Sequence, residues 1–247
     1  MIEAIIYLLA IAIAEAVTVA VQPIWGIVAH IAILILVIVH SAVATRYPHR
    51  PLLLSLALVP LVRIISLCMP LANIPQIWWY PIIYAPLLAA AVVVMRILNY
   101  RPEQVGLTFK WFPVQLVVAL TGVGFGVVEY FILTEEATTT GLVLQQTPLL
   151  AAFLLLVCTG FIEEFIFRGV LQRSAVEAFG GWGIVYVSLL FATLHMGFLS
   201  GIEVAFVFVV ALFFGWVVKK TGSLLGVTLS HGITNIMLYL VASFFLG

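Results

Sequence analysis

Apolar residues along this chain neither alternate nor recur as a single helical stripe. They run in blocks of roughly 20, the length that crosses a bilayer core of about 30 Å as an α-helix. Nine blocks fit, at 2–21, 24–44, 52–71, 78–99, 113–133, 148–172, 182–199, 202–219 and 223–246. Pro23, Pro51, Pro81, Pro113 and Pro148 punctuate the early turns, Gly180 to Gly183 separates blocks six and seven, and Thr221-Gly222 separates eight and nine, in keeping with their helix-breaking chemistry. The expected fold is all-α, a polytopic transmembrane helix bundle of about nine spans, or eight if the first two blocks form one broken hairpin.

Composition agrees with this pattern. Of 247 residues, 65% are apolar and 8% charged, and the mean hydropathy is +1.29, outside the balance of soluble domains. The 10 basic and 10 acidic residues cancel, and no basic run suits nucleic acid or a polybasic lipid tether. No soluble domain is expected. Cys68 and Cys158 sit in apolar runs without metal-type spacing and read as buried, inert thiols. The start, "MIEAIIYLLAIAIAEA", lacks a positive n-region and carries Glu3 and Glu15, which suits a retained helix better than a cleaved signal.

Charge placement sets the orientation. With the N-terminus inside, the inner segments receive Arg46 and Arg50, then Arg96, Arg101 and Lys110, then Arg173, then Lys219 and Lys220, and the outer loops receive no Lys or Arg. The positive-inside rule therefore predicts an inner N-terminus and an outer C-terminus. The longest outer loop holds Glu135 and Glu136, and "RPEQVGLTFKWFPVQ" reads as an inner interfacial segment.

Charges within spans cost about 2.5–3.5 kcal/mol each on insertion scales and need a bundle interior or a wet cavity. Span six carries three, in "GFIEEFIFRGVL". At 3.6 residues per turn, Glu164 and Arg168 share a face at i, i+4, with the acid first, and can pair. Glu163 points away from them and has no local partner. His30 and His40, in span two without a nearby acid, and His49, in a loop, read as structural. His195 in span seven and His231 in span nine differ, because His231 has Asn235 one turn further on the same face. A carboxylate with two imidazoles activates a water directly or holds a divalent metal that does so, and a His or Asn can donate to a developing oxyanion.

At these residues the chain resembles a family: the intramembrane endopeptidases that contain the type II CAAX prenyl proteases and the related bacterial bacteriocin-processing and immunity proteins, abbreviated CPBP or Abi. E-E-x-x-x-R stands as "EEFIFR" from Glu163 to Arg168, F-x-x-x-H as "FATLH" from Phe191 to His195, and H-x-x-x-N as "HGITN" from His231 to Asn235. The resemblance covers roughly residues 113 to 246. It divides the chain into N-terminal transmembrane helices with the interfacial segment, 1–112, and a catalytic transmembrane core, 113–247.

The resemblance implies a protease that hydrolyses a peptide bond of a membrane-anchored or lipidated substrate, such as a prenylated one, within or beside the lipid bilayer. Glu163 and His195 would activate water, while His231 with Asn235 would stabilise the oxyanion. Alternatively Glu163, His195 and His231 would ligate a divalent metal such as zinc. Glu164, Arg168 and Phe191 would support the site. The expected location is a prokaryotic cell membrane, multi-pass, with no nucleic-acid partner and no implied oligomer. Two other readings stand beside it: a non-proteolytic immunity or scaffold protein of the same family, and a haem-carrying or ion-translocating protein. The complete motif set argues against the first. The lack of paired facing histidines and of an internal repeat argues against the second.

Further expectations concern packing and depth. Arg63 in span three pairs with Glu129 of span five, Gly122 and Gly126 admit a neighbouring backbone, Glu203 suits a helix N-terminus, and the tryptophans anchor at the interfaces. With these boundaries Glu163 lies roughly 13 Å from the inner end of span six and His195 roughly 20 Å from that of span seven. The site therefore closes only if span seven starts deeper or tilts.

Overall fold

The computed structural model describes residues 2–44 and 49–246. Arg46, one of the expected inner charges, lies outside them. In chain order the helices are α1 (Ile2–Ala20), α2 (Pro23–Val43), α3 (Arg50–Cys68), α4 (Gln76–Ile97), α5 (Phe112–Ile132), α6 (Thr134–Leu144), α7 (Pro148–Phe179), α8 (Trp182–Thr193), α9 (Gly201–Thr221) and α10 (Leu225–Phe245). No strand occurs among the described residues. Eight of these helices are long and apolar enough to cross a membrane, so the chain is an integral, multi-pass, all-α bundle.

The expected seventh span is the exception to that length. Its helix, α8, has 12 residues and continues only through a 3-10 turn, so that Trp182–Phe198 is a shorter apolar segment. The expected outer loop with Glu135 and Glu136 is itself helical, as α6. The interfacial segment folds as a 3-10 turn, Pro102–Val105, with exposed Phe109, Trp111 and Phe112. The α9–α10 turn pins it: the Leu224 amide donates to the Gly106 carbonyl at 2.8 Å, and the Ser223 hydroxyl to that of Thr108 at 2.6 Å. Cys158 is buried as expected, whereas Cys68 is exposed.

Small residues set how closely the functional helices approach. A Cβ on Gly122 would lie 2.2 Å from the Ser230 carbonyl oxygen, and one on Gly126 2.5 Å from that of Thr234. The expected glycine pair thus seats α5 on α10. The opposite face of α10 meets α7 the same way, since a Cβ on Gly160 would come within 2.8 Å of the Thr228 carbonyl oxygen and 3.0 Å of the Gly232 Cα. Ser230 and Thr121 hydroxyls share a 2.9 Å bond across α5 and α10. Helix α10 is held between two backbones, which fixes the height of His231 and Asn235 against Glu163.

The N-terminal helices carry a buried ionic cluster. Arg63 pairs with Glu15 of α1, at 2.7 Å from Nε and 2.6 Å from Nη2. His30 Nε2 lies 3.0 Å from the same carboxylate. Arg63 therefore does not pair with Glu129, which lies against Glu203 instead. Nor is His30 without an acid. Hydropathy places these groups within their helices but does not rank helix neighbours, so the partner could not be read from the chain.

Candidate active site

Helix α7 changes its winding where the motif begins. Leu155–Glu163 and Phe165–Leu171 take π-type i→i+5 hydrogen bonding, with α-helix before and after. Such turns are rare and frequently mark functional sites. Wider turns spread successive side chains through a smaller angle than an α-helix does, yet Glu164 and Arg168 still meet, with Arg168 Nη1 donating to Glu164 Oε1 at 3.1 Å.

That pair is almost fully buried, at 0% and 1% side-chain exposure. His231 Nδ1 lies 2.9 Å from the same Glu164 oxygen, and a carboxylate accepts only, so Nδ1 carries the proton and Nε2 faces the remaining acid. The Arg168 guanidinium sits 4.2 Å above the Phe191 ring centroid, a cation–π contact. Phe191 also stacks edge-on against Phe167 at 4.9 Å.

Glu163 is the carboxylate left over, as its offset from Arg168 predicts. Its Oε2 lies 3.9 Å from His231 Nε2, and its Oε1 accepts a short hydrogen bond from the Tyr84 hydroxyl of α4. At 18% side-chain exposure it reaches a cavity of about 300 Å³ that Arg63, Tyr80, Tyr84, His195, His231 and Asn235 also line. Phenylalanines 167, 191, 198, 206 and 214 supply much of the remaining wall.

His195 follows the end of α8, in a turn that closes with Leu199 in the left-handed region (φ 57°). Its Nδ1 is 2.9 Å from the Phe191 carbonyl oxygen. A carbonyl only accepts, so this bond fixes the proton on Nδ1 and leaves Nε2 as the free acceptor. Asn235 is oriented by similar logic: the Thr159 hydroxyl is committed to the Leu155 carbonyl, so its oxygen accepts from Asn235 Nδ2 at 2.7 Å. The amide keeps one N–H and its oxygen for other partners.

The depth mismatch resolves at the far end of α7. The helix continues to Phe179 rather than 172, which places its end roughly 24 Å beyond Glu163, against roughly 20 Å from Trp182 to His195. Gly180, at φ +58°, reverses the chain, and Gly183 lies so close to the Ala175 backbone that a Cβ would sit 2.4 Å from it. Helix α8 then climbs back along α7, and His195 comes level with Glu163. The polar run "QRSAVEAF" hides this extension, because Arg173 and Glu177 read as a departure from the membrane.

Of the residues expected at the site, Glu163, Glu164, Arg168 and His231 form one contact network, whereas His195 and Asn235 share the cavity without bonding to it. Sequence reasoning missed Tyr84, Thr159 and the approach of Arg63. Tyr84 was hidden in "WWYPIIY", where aromatics read as interfacial anchors; its only signal was the i, i+4 spacing from Tyr80, which lines the same cavity.

Residues 145–237 match the model of the family described as Type II CAAX prenyl endopeptidase Rce1-like. The match contains all three motifs and supports the resemblance read from them. No curated protein and no solved structure gives a match. Helices α1 to α6 lie outside the matched segment, although α3 and α4 contribute Arg63 and Tyr84 to the cavity.

A divalent ion would need Glu163, His195 and His231 to converge on one point. Among the described residues no group of three His, Cys, Asp or Glu side chains has that arrangement. His231 Nδ1 is engaged by Glu164 and one Glu163 oxygen by Tyr84. These bonds leave Glu163 Oε2 and the Nε2 atoms of both imidazoles free, although as arranged they do not gather round one point.

Proposed function

We propose that the protein is an intramembrane endopeptidase that hydrolyses a peptide bond of a membrane-anchored substrate by general-base activation of water. The observation that carries this reading is the convergence of Glu163, His195, His231 and Asn235, from α7, α10 and the turn after α8, on one apolar-walled cavity. A pocket of this kind suits aliphatic and aromatic peptide side chains, with few polar groups fixing the backbone. A lipidated substrate, such as a prenylated peptide, matches both the wall and the surrounding bilayer.

In this mechanism a water sits between Glu163 and His195 Nε2. The base takes one proton as the water oxygen attacks the scissile carbonyl carbon. Negative charge gathers on the carbonyl oxygen, where the free N–H of Asn235 donates to it, joined by His231 through Nε2 when that atom carries a second proton. Collapse breaks the C–N bond, and the proton held by the base passes to the leaving amine. Tyr84 orients Glu163, and Glu164 orients His231. Arg168 compensates the Glu164 charge and takes no part in proton transfer.

The test is cleavage of a farnesylated peptide carrying a fluorophore and quencher on either side of its C-terminal bonds, by purified protein in detergent. Cleavage by the wild type, its loss in His195→Ala, and indifference to strong chelators are expected. Cleavage that survives His195→Ala would overturn the water-activation scheme, and loss on chelation with recovery on zinc would replace it with a metal-based one. The reading keeps the N-terminus on the inner side of the membrane; a reporter fused before Met1 that behaved as outside the cell would contradict this.

A further inference from the structure

Helix α8 ends at Thr193 with Leu194 as its C-cap, one residue before His195, and the last carbonyls of a helix have no intrahelical partner. One of them, Phe191, is taken by the His195 ring itself. The Leu194 carbonyl oxygen accepts from Arg63 Nη2 at 2.5 Å. A guanidinium at this end suits both the orphan acceptor and the helix dipole. Arg63 is in turn held by Glu15, which is 0% exposed and braced by His30. A chain of contacts thus runs from α1 and α2 through α3 to the backbone from which His195 projects.

We propose that Arg63 is a positioning residue for His195, so that the Glu15–His30–Arg63 cluster of the N-terminal helices sets the aim of the imidazole. The proposal rests on the reading of His195 as part of the water-activating pair. Three features distinguish it from simple bracing. The Arg63 bond falls on the residue adjoining His195. The turn that follows His195 is short, Met196–Phe198, with Leu199 in the left-handed region, so the ring sits between the end of α8 and a tight bend. Arg63 also lines the same cavity as the ring. The planar fork matters because Nε and Nη2 grip the two Glu15 oxygens while Nη2 also donates to the Leu194 carbonyl, so the single nitrogen of lysine loses the two-point grip that fixes the direction of that bond.

The informative variant is Arg63→Lys, which keeps a cation beside buried Glu15. A second, Glu15→Gln with Arg63→Met, removes the pair together and guards against failure to fold. In protein labelled with ¹⁵N-histidine and held in detergent, wild-type His195 should give one sharp Nδ1-protonated ring signal, identified by its loss in His195→Ala. Both variants should fold with His231 signals unchanged but broaden or split the His195 signal. Their kcat on the farnesylated peptide should fall at least tenfold, with KM within about twofold. A wild-type His195 signal in both folded variants would overturn the proposal, even with a lowered Tm. Because the spectrum does not depend on turnover, a protein that cleaves no peptide would fail the endopeptidase reading while the spectrum still decided the role of Arg63.

Discussion

Two buried clusters of this protein are built from the same three side-chain types. Near the N-terminus, Glu15 holds Arg63 and His30; in the α7–α10 crossing, Glu164 holds Arg168 and His231. In each, an acid with 0% exposure serves two cationic or protonatable partners. What separates them is the neighbour. Beside Glu164 stands a second carboxylate, Glu163, with no arginine of its own, a tyrosine hydroxyl on one oxygen and the cavity before it. On the proposed reading the Glu15–Arg63 and Glu164–Arg168 pairs hold their neighbours in place, and the spare acid takes part in the chemistry. The comparison also warns against scoring intramembrane charges by number, since the two clusters look alike until their partners are traced.

The strongest way to break this equivalence is to remove each shared acid. Glu164→Gln leaves Arg168 buried and uncompensated, and Glu15→Gln does the same to Arg63. Each should cost about 3–5 kcal/mol of stability, read as a lower Tm or yield in detergent, and Arg168→Gln should restore part of the loss in the Glu164→Gln background. If Glu164→Gln were as stable as the wild type, the scaffold role would be wrong.

Glu163→Gln should separate chemistry from scaffold. The amide keeps the size and much of the hydrogen bonding but cannot accept a proton as a base. We expect an unchanged Tm with peptide cleavage reduced at least ~100-fold, the lower end for such groups. Near wild-type turnover would move the catalytic role away from this residue.

A smaller effect should follow from Tyr84→Phe, which removes the hydroxyl on Glu163 without opening a cavity. One hydrogen bond to a charged group contributes about 1.5–3 kcal/mol, so a loss of kcat of roughly tenfold or more is expected with the fold intact. The smallest belongs to Arg173→Gln. Its i, i+4 pair with Glu177 is 38% and 40% exposed, and such pairs contribute about 0.3–0.5 kcal/mol. A Tm shift comparable to that of Glu164→Gln would show that burial does not govern these pairs.

Much of this architecture is legible in the chain because the bilayer imposes a length rule on apolar blocks, and glycine spacing reports where backbones meet. Gly122 and Gly126 were read correctly for that reason. The pairing of Glu164 with Arg168 is local and survives even the π-type winding that shifts their angle. Long-range partners are a different matter. Arg63 could face any neighbouring acid at similar depth, and nothing in the sequence favours Glu15 over Glu129. Tyr84 resembles the interfacial aromatics around it, and Thr159 is one hydroxyl in an apolar run. The end of α7 was misjudged because its last turns are amphipathic, so their polarity reads as an exit although the helix continues.

The crossing of Gly160 and Gly232 also bears on the membrane as an electrical barrier. A cavity lined by ionisable groups thins the insulating layer locally, and a file of water along a loosely packed helix pair would complete a path for ions. Here the α7 and α10 backbones touch with no side chain between them at that point, leaving no room for such a file. The same contact that brings Glu163 to His231 thus closes the seam behind them, and a cavity built this way can hold water at its centre without short-circuiting the membrane around it.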